Sequence, residues 1–151
     1  MNIATLDTPV GRLGLVERDG RIVQLLWRGE DMGSRTPLLR DGLRQLQAYF
    51  EGELERFDLP LAPAGTDFQQ QVYHQMLAIP RGETRTYGDL AERLGVAPQP
   101  VGPACGSNPI PVIIPCHRVV ARDGLGGFSG FGGVETKVAL LRREGAYSLL
   151  L

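Results

Sequence analysis

The sequence predicts a mixed α/β protein, of the α+β kind, that folds as two small lobes. Three short apolar runs and one amphipathic helix occupy residues 1–62, whereas residues 66–151 are mostly helical in pattern. Residues 59–65 read Leu-Pro-Leu-Ala-Pro-Ala-Gly, which suits neither a helix nor a strand and is interpreted as a linker. Strands grouped before helices are typical of α+β folds or of separate domains. We therefore expect one domain over 1–62 and a second over 66–151.

The first domain is predicted from the turn residues that separate its apolar runs. Those runs are residues 2–6, 13–17 and 22–27. Pro9-Val10-Gly11 separates the first two, and Asp19-Gly20 separates the last two. Because Asp and Gly both tolerate a positive φ, the second turn predicts a tight β-hairpin. Apolar residues at helical spacing from Leu38 to Phe50, followed by Gly52, then predict a helix.

Three helices are expected at the start of the second domain. Thr66 and Gln69 fit a capping box, and apolar residues follow at helical spacing. A second short helix is predicted over 86–94, before a glycine, and a third helical segment over 98–107. A short helix, a tight turn and another short helix form the pattern of a helix-turn-helix, although two helices that merely pack a core give the same pattern.

The rest of the second domain surrounds a Cys-His pair. The apolar residues 111–115 predict a strand that delivers Cys116-His117-Arg118 at its end, and Val119-Val120 continue it in extended form. The glycine-rich stretch 124–133 predicts a loop whose backbone can approach a ligand closely. A last helix is predicted over 134–144.

Composition excludes several classes of protein. The chain has 16 Lys plus Arg against 17 Asp plus Glu, a net charge of -1, which at face value argues against a strong nucleic-acid binder. Residues 66–151 carry eight basic and seven acidic side chains, hence +1, and residues 1–65 carry eight and ten, hence -2. No run approaches the roughly 20 apolar residues of a membrane span. The N-terminus lacks the pattern of a signal peptide, so a cytosolic, that is cytoplasmic, protein is expected.

Cys116 and His117 are candidates for a thiol nucleophile and its base, because a nearby imidazole can take the thiol proton. Successive side chains of an extended chain point to opposite sides, so the pair needs either a sharp bend at Pro115 or a bridging water. Glu144, at the end of the last helix, is a candidate for the acid that orients the imidazole. On spacing alone, a buried thiol beside a structural histidine is the commoner arrangement.

Longer motifs connect the chain to a known family. The segment Asn108-Pro-Ile-Pro-Val-Ile-Ile-Pro-Cys-His-Arg-Val-Val120 resembles the active-site signature of the O6-alkylguanine-DNA alkyltransferases, which repair DNA by direct reversal. Further motifs follow in the family's order: Phe68-Gln-Gln-Gln-Val72, Ile79-Pro-Arg-Gly82, Thr86-Tyr87, Leu90-Ala91, Val101-Gly102 and Leu140-Leu141-Arg-Arg-Glu144-Gly145. Thr8-Pro9-Val10-Gly11, with its hairpin, resembles part of the family's N-terminal domain. The resemblance covers nearly the whole chain.

This resemblance implies a fold, a partner and a reaction. The fold is a small ribonuclease-H-like N-terminal domain followed by a helical domain with a winged helix-turn-helix. The protein would bind the minor groove of double-stranded DNA as a monomer and flip the damaged guanine out of the stack. A cysteine would take the alkyl group, such as methyl, from O6 as a thioether, so each molecule would act once. No cofactor is implied, and no metal is expected, because no Cys precedes Cys105 and no His precedes His74.

The resemblance also assigns roles to individual residues. The implied catalytic residues are Cys116 as the acceptor, His117 as a base acting through water, Glu144 behind it, Tyr87 as a donor to the leaving guanine, and Asn108 as a tie between the helix-turn-helix and the active-site strand. The implied DNA-binding residues are Gln99, Pro100, Val101, Gly102, Tyr87 and Arg118, of which Arg118 is expected to anchor structure more than to touch DNA. The implied base-pocket residues are Phe128, Ser129 and Phe131. Cys105 is interpreted as a packed residue and not as a second nucleophile or a disulfide partner.

One departure from the family pattern lies in the helix expected to read DNA. Gln99 stands where the family usually has Arg, so the side chain that fills the gap left by the flipped nucleotide is neutral and shorter. Pro98, Pro100 and Pro103 crowd the same segment. We therefore expect a short or irregular recognition helix, weaker duplex binding than a typical member and a small salt dependence.

A second departure lies in the glycine-rich loop, where Phe128 and Phe131 stand in place of a usual Tyr. Either ring keeps an aromatic wall for the base but lacks a hydroxyl, so more of the donor role falls on Tyr87. The departures at Gln99 and at the neighbouring prolines keep a second hypothesis open, a lesion-binding protein with weak or no transfer. A third hypothesis is a variant adapted to labelling with alkyl-guanine compounds. The presence of Cys116 favours alkyl transfer over lesion binding alone.

Overall fold

The computed structural model describes residues 2–146, and its contacts divide the chain into two compact units, Met1–Ala64 and Gly65–Leu151. In the described part of the chain, the first unit holds a three-stranded sheet and one α-helix. Over residues 65–146, the second holds four α-helices and a two-stranded sheet. Within residues 2–146 no helix is long and apolar enough to cross a membrane.

The sheet of the first unit is an antiparallel meander. Its strands are β1 (Asn2–Thr8), β2 (Gly11–Arg18) and β3 (Arg21–Trp27). Between β2 and β3, Asp19 has a φ of 53° and Gly20 a φ of 77°. Two positive φ values are what a tight two-residue hairpin turn requires, so the predicted hairpin is confirmed.

Helix α1 (Pro37–Phe50) packs on this sheet. The hydroxyl of Thr36 accepts a hydrogen bond from the amide of Leu39 and caps the helix. Gly42 faces β2 so closely that a Cβ there would lie 2.6 Å from Cδ1 of Leu15. The missing side chain therefore allows the close approach of helix and sheet.

Three helices open the second unit and contact one another. They are α2 (Asp67–Leu77), α3 (Tyr87–Leu94) and α4 (Val101–Gly106). Helix α2 begins with the predicted capping box of Thr66 and Gln69, and α3 begins with a second one formed by Thr86 and Asp89. Gly95 ends α3 in the left-handed conformation, with a φ of 68°. The expected order of short helix, turn and short helix is therefore present.

Helix α4 has only six residues, because prolines define where it starts. Pro100 is its N-cap residue, and Pro103 is its third residue, where an amide would have no partner inside the helix. The first amide that bonds back is that of Ala104, which donates to the carbonyl of Pro100 at 3.3 Å. The prediction of a short helix in this segment is confirmed, and neither Pro100 nor Pro103 interrupts a helical hydrogen bond.

The prediction of a strand over residues 111–115 is wrong. This segment forms two three-residue turns, centred on Val112 and Pro115, and in each the flanking residues are joined by an N–H···O bond of 2.8 Å. Val112 has a φ of 70°, which is rare for a β-branched residue and excludes a regular strand.

The hydrogen bonds of this segment come from a side chain instead of a neighbouring strand. The amide nitrogen of Asn108 donates to the carbonyl of Ile114 at 2.7 Å, and its oxygen accepts from the amide of Ile110 at 3.0 Å. All residues from 110 to 120 are buried. The apolar pattern therefore predicted burial correctly but not the backbone conformation.

After this segment the chain forms a short parallel sheet and the last helix. Strand β4 (Arg85–Thr86) pairs with β5 (Val119–Val120), which confirms the extended conformation predicted for Val119-Val120. The irregular stretch 121–133 contains the glycine-rich loop and leads into α5 (Val134–Arg143). Helix α5 packs against the turn formed by residues 116–118.

Candidate active site

The expected acceptor lies on a turn that the preceding proline bends sharply. Pro115 has a φ of -81° and a ψ of 70°, as in an inverse γ-turn, and Cys116–Arg118 form one turn of 3-10 helix. With three residues per turn, successive side chains point about 120° apart. The bend considered at Pro115 is therefore present, and it sends the side chains of Cys116 and His117 in different directions.

A buried ion-pair cluster joins this turn to the end of α5. His117 Nε2 lies 2.7 Å from Glu144 Oε2, and Arg118 donates from Nε to Oε1 at 2.8 Å and from Nη2 to Oε2 at 3.0 Å. Arg118 Nη1 also donates to the carbonyl of Ile79 at 2.7 Å. The side chains of His117 and Glu144 are fully buried, and that of Arg118 is 9% exposed. These contacts support an anchoring role for Arg118 over a contact with DNA.

Burial and hydrogen bonds determine the charges of the cluster. Burial lowers the pKa of His117, and the hydrogen bond with Glu144 opposes this only in part, so the imidazole is neutral at pH 7. Burial would raise the pKa of Glu144, but hydrogen bonds from His117 and Arg118 hold it well below its usual value. A neutral imidazole beside a carboxylate carries its proton on the nitrogen that faces it, here Nε2.

The other imidazole nitrogen is therefore a proton acceptor. His117 Nδ1 is buried and has no hydrogen-bond partner among residues 2–146. It is not hydrogen-bonded to the sulfur of Cys116, so a proton could pass between the two groups only through a bridging water.

Cys116 is one of the residues that line a cavity of about 400 Å³, a volume typical of small-molecule sites. The lining residues are Tyr87, Gly102, Cys105, Gly106, Cys116, Gly127, Phe128 and Ser129. The cavity therefore brings together the expected acceptor, the expected donor and two of the three expected base-pocket residues. The third, Phe131, is 51% exposed and does not line the cavity. Of the two phenylalanines, Phe128 thus lines the cavity.

Tyr87 lies against the glycine-rich loop. A Cβ on Gly126 would lie 3.1 Å from the hydroxyl oxygen of Tyr87, so the loop backbone passes close to the ring. Burial raises the pKa of Tyr87, and the negative charge that Cys105 and Cys116 carry in their thiolate forms acts in the same direction. The hydroxyl therefore stays protonated and can donate. The hydroxyl of Ser129 donates to the carbonyl of Gly106 at 3.0 Å, which ties the loop to α4.

Both cysteines are free, and both line the cavity. Burial raises the pKa of Cys116, whereas a hydrogen bond from Asn108 and the charge of Lys137 oppose the rise. Burial raises the pKa of Cys105 to about 12, and the neighbouring Cys116 adds to the effect. Cys105 is therefore a protonated, packed thiol, as expected, although the sequence did not place it in the site.

The residues expected to contact DNA fall into different environments. Gln99 and Pro100 are exposed at the turn before α4. Val101 is fully buried, so its side chain packs the core and is not available to DNA. Gly102 lines the cavity. Of the four residues expected to contact DNA in this segment, Gln99 and Pro100 thus remain candidates for side-chain contacts.

Lys137 is a site residue that the sequence reasoning missed. It lies on α5, its side chain is fully buried, and its ammonium donates to the carbonyls of Val119 and Gly127. A signal was present in the sequence. Lys137 is the only Lys of the chain, and it lies at helical spacing from the apolar Leu140 and Leu141, on the face that is buried.

Comparison with protein-family models matches both units. Residues 1–63 match the ribonuclease-like domain of 6-O-methylguanine DNA methyltransferase, and residues 67–146 match the DNA-binding domain of the same proteins. The chain belongs to the 6-O-methylguanine DNA methyltransferase family. Membership confirms the resemblance and the predicted fold class, an α/β chain with a ribonuclease-like domain before a DNA-binding domain.

Individual members of this family are similar over most of their length. The methylated-DNA–protein-cysteine methyltransferase of Mycobacterium tuberculosis (strain H37Rv) is 43% identical over 150 residues, which cover 93% of this chain and 90% of the relative. The constitutive enzyme of Bacillus subtilis is 37% identical and covers 89% and 88%. A crystal structure of the M. tuberculosis protein in complex with DNA superimposes with a TM-score of 0.85 at 39% identity, covering 97% of this chain and 94% of that one.

Proposed function

We propose that this chain repairs double-stranded DNA by direct reversal, transferring an alkyl group such as methyl from O6 of guanine to Cys116, once per molecule. Family membership supports the activity, that of a methylated-DNA–protein-cysteine methyltransferase, and DNA as the partner. The observation that favours Cys116 is its place in a cavity whose wall also carries Tyr87, with the His117–Glu144 pair packed behind the same turn.

The first step is the removal of the thiol proton. Because burial raises the pKa of Cys116, little thiolate is present at rest. His117 Nδ1 accepts the proton through one water, and Glu144 stabilises the imidazolium that forms. The sulfur then attacks the alkyl carbon; the carbon–sulfur bond forms as the bond from carbon to O6 breaks, and the electron pair of that bond goes to the guanine. A thioether is not hydrolysed by water, so the acceptor is consumed.

The second requirement is a proton for the leaving guanine. Tyr87 donates it, since the raised pKa keeps its hydroxyl protonated until charge develops on the base. The proton that left Cys116 returns to Tyr87 through His117 and water, so the transfer is balanced. Phe128 supplies an apolar wall for the flipped base. Main-chain N–H groups of the loop, near Ser129, are further donors.

Binding precedes the chemistry. Helices α3 and α4 present Gln99 and Pro100 to the minor groove, and Gln99 takes the place of the flipped nucleotide. Asn108 connects this motif to the turn of Cys116 through its bond to the carbonyl of Ile114. The protein acts as a monomer. The free state of both cysteines suits the reducing cytoplasm, where an acceptor thiol survives until it is used.

Adduct mapping tests the proposal. The protein is incubated with a duplex that contains O6-methylguanine, digested, and searched by mass spectrometry for methylated peptides. We expect one methyl group per molecule, on the peptide that contains Cys116, and the same in a Cys105→Ala variant. A protein that binds the lesion but gains no methyl group would instead be the lesion-binding protein considered above.

The substitution Gln99→Arg tests the proposed contact of α4 with DNA. We expect the variant to bind duplex DNA several-fold more tightly at low salt, because a guanidinium can pair with a phosphate. The slope of log K against log salt concentration should steepen by about 0.9, the value for one phosphate contact. Fluorescence anisotropy over a salt series measures both quantities.

Gln71→Arg is the matched control, since it makes the same change in charge at an exposed position of α2. If both variants gained affinity and salt dependence equally, net charge would account for the effect and Gln99 would lose its assigned place at the DNA.

A further inference from the structure

Lys137 differs from every other basic residue of the chain. The remaining fifteen are Arg, and Lys137 alone has a fully buried side chain among the Lys and Arg of residues 2–146. Burying an ammonium group is costly unless it is hydrogen-bonded and its charge is useful to its neighbours. Both the bonds and the neighbours of Lys137 belong to the proposed active site.

The ammonium joins three segments of the second unit. From α5, Nζ donates to the carbonyl of Val119 at 2.6 Å and to that of Gly127 at 3.0 Å. Val119 follows directly after the turn that contains Cys116, and Gly127 lines the cavity from the glycine-rich loop. A compact ammonium can reach both carbonyls, whereas a planar guanidinium is larger and donates in a fixed fork.

The charge of Lys137 also faces the reacting groups. Nζ lies 6.0 Å from the centre of the Tyr87 ring. The titratable groups that interact with the ammonium are Cys116, Cys105 and His117. Burial lowers the pKa of Lys137 to about 8, whereas the two thiols act in the opposite sense. At pH 7 the group is therefore still cationic, and its charge favours the thiolate form of Cys116.

We propose that Lys137 is a positioning residue with two effects: its hydrogen bonds hold the glycine-rich loop at the cavity, and its charge stabilises the thiolate of Cys116. This role rests on the proposed function, because it matters most while the flipped base is held between the loop and the acceptor. Both effects can be measured without DNA, which separates them from the transfer reaction itself.

Two variants separate the effects. Lys137→Met removes the charge and the bonds, and Lys137→Arg keeps the charge but does not fit both carbonyls. The reactivity of Cys116 is read as the rate at which iodoacetamide alkylates its peptide over a pH series. The loop is read as hydrogen exchange of residues 124–133. Arg142→Met, which removes an exposed charge from the same helix, is the matched control.

For Lys137→Met we expect the pH midpoint of Cys116 alkylation to rise by about one unit, with about tenfold slower reaction below it. Hydrogen exchange in the loop should be faster than in wild type. Methyl transfer should be at least tenfold slower, whereas the affinity for DNA should stay within twofold of wild type. Lys137→Arg should keep the midpoint close to wild type but share the faster loop exchange, and Arg142→Met should change neither.

An unshifted midpoint in folded Lys137→Met would overturn the electrostatic part, and unchanged loop exchange in both variants would overturn the positioning part. If Lys137→Met does not fold, Lys137→Arg still decides the positioning part. If the variants show these effects but the wild-type protein transfers no methyl group, the proposed function is refuted and the role of Lys137 remains.

Discussion

Cys116→Ala is expected to abolish methyl transfer and to leave binding to DNA with O6-methylguanine intact. The substitution removes only the sulfur of a side chain that is 8% exposed, so the cavity and its walls remain. No second nucleophile takes over, because burial raises the pKa of Cys105 to about 12 and holds it as a thiol. Transfer of labelled methyl to protein measures the first effect, and a gel-shift titration with lesion-bearing duplex measures the second.

Cys105→Ala is the control for this result, and it should still take up one methyl group per molecule. Residual transfer in Cys116→Ala that disappears when Cys105 is also replaced would make Cys105 the acceptor. Loss of lesion binding in Cys116→Ala would instead show that the sulfur contributes to holding the base.

Much of the fold was predictable because its signals are local. The turn at Asp19-Gly20 and the caps at Thr66 and Thr86 depend on residues within four positions of one another, and all three form as their side chains dictate. The short α4 follows equally from its prolines, which fix where a helix can begin. Such features need no knowledge of the tertiary structure.

The conformation of residues 111–115 was not predictable in the same way. An apolar run indicates burial, but it does not show which groups will satisfy its buried N–H and C=O groups. Here the side chain of Asn108 does so, and with that partner the chain turns at Val112 and Pro115. A contact between residues six apart in sequence decided against the strand.

The site, like the fold, was predictable where the signal is local and was not predictable where it depends on tertiary packing. Cys116, His117 and Glu144 were expected, and the structure places the last two 2.7 Å apart. The sequence could not choose between Phe128 and Phe131, because both stand in a loop whose path depends on its glycines. Lys137 was missed because a helix pattern treats a charged residue as exposed, and only packing shows it buried beside the cavity.

Glu144→Gln is expected to destabilise the protein by about 3–5 kcal/mol, the usual cost of breaking a buried ion pair from one side. The carboxylate is fully buried and accepts hydrogen bonds from His117 and from two nitrogens of Arg118. An amide offers one oxygen and turns an NH₂ group toward these donors, so the guanidinium is left without its counter-charge. Urea denaturation measures the change, and the rate of methyl transfer should fall by about 100-fold as the imidazolium loses its stabilisation.

The dependence of stability on acidic pH is a second test of the pair formed by Glu144 and His117. The pKa of Glu144 is held well below its ordinary 4.5, so its stabilisation is complete above that value and is lost as the pH falls below it. The pKa of His117 lies below its ordinary 6.5, so stability also declines as the pH falls below 6.5, where the unfolded chain takes up a proton first. Wild type should therefore lose stability below about pH 6.5 and lose it more steeply below about pH 4.5.

The Gln variant retains the first of these declines but lacks the second, because its side chain does not titrate. The difference in unfolding free energy between wild type and Glu144→Gln should therefore shrink below about pH 4.5. Glu135→Gln, the same substitution at an exposed position of α5, should follow the wild-type profile throughout. A difference that stayed constant down to pH 3 would mean that the carboxylate of Glu144 contributes through shape alone, and the charge that the proposed mechanism places behind His117 would have to come from elsewhere.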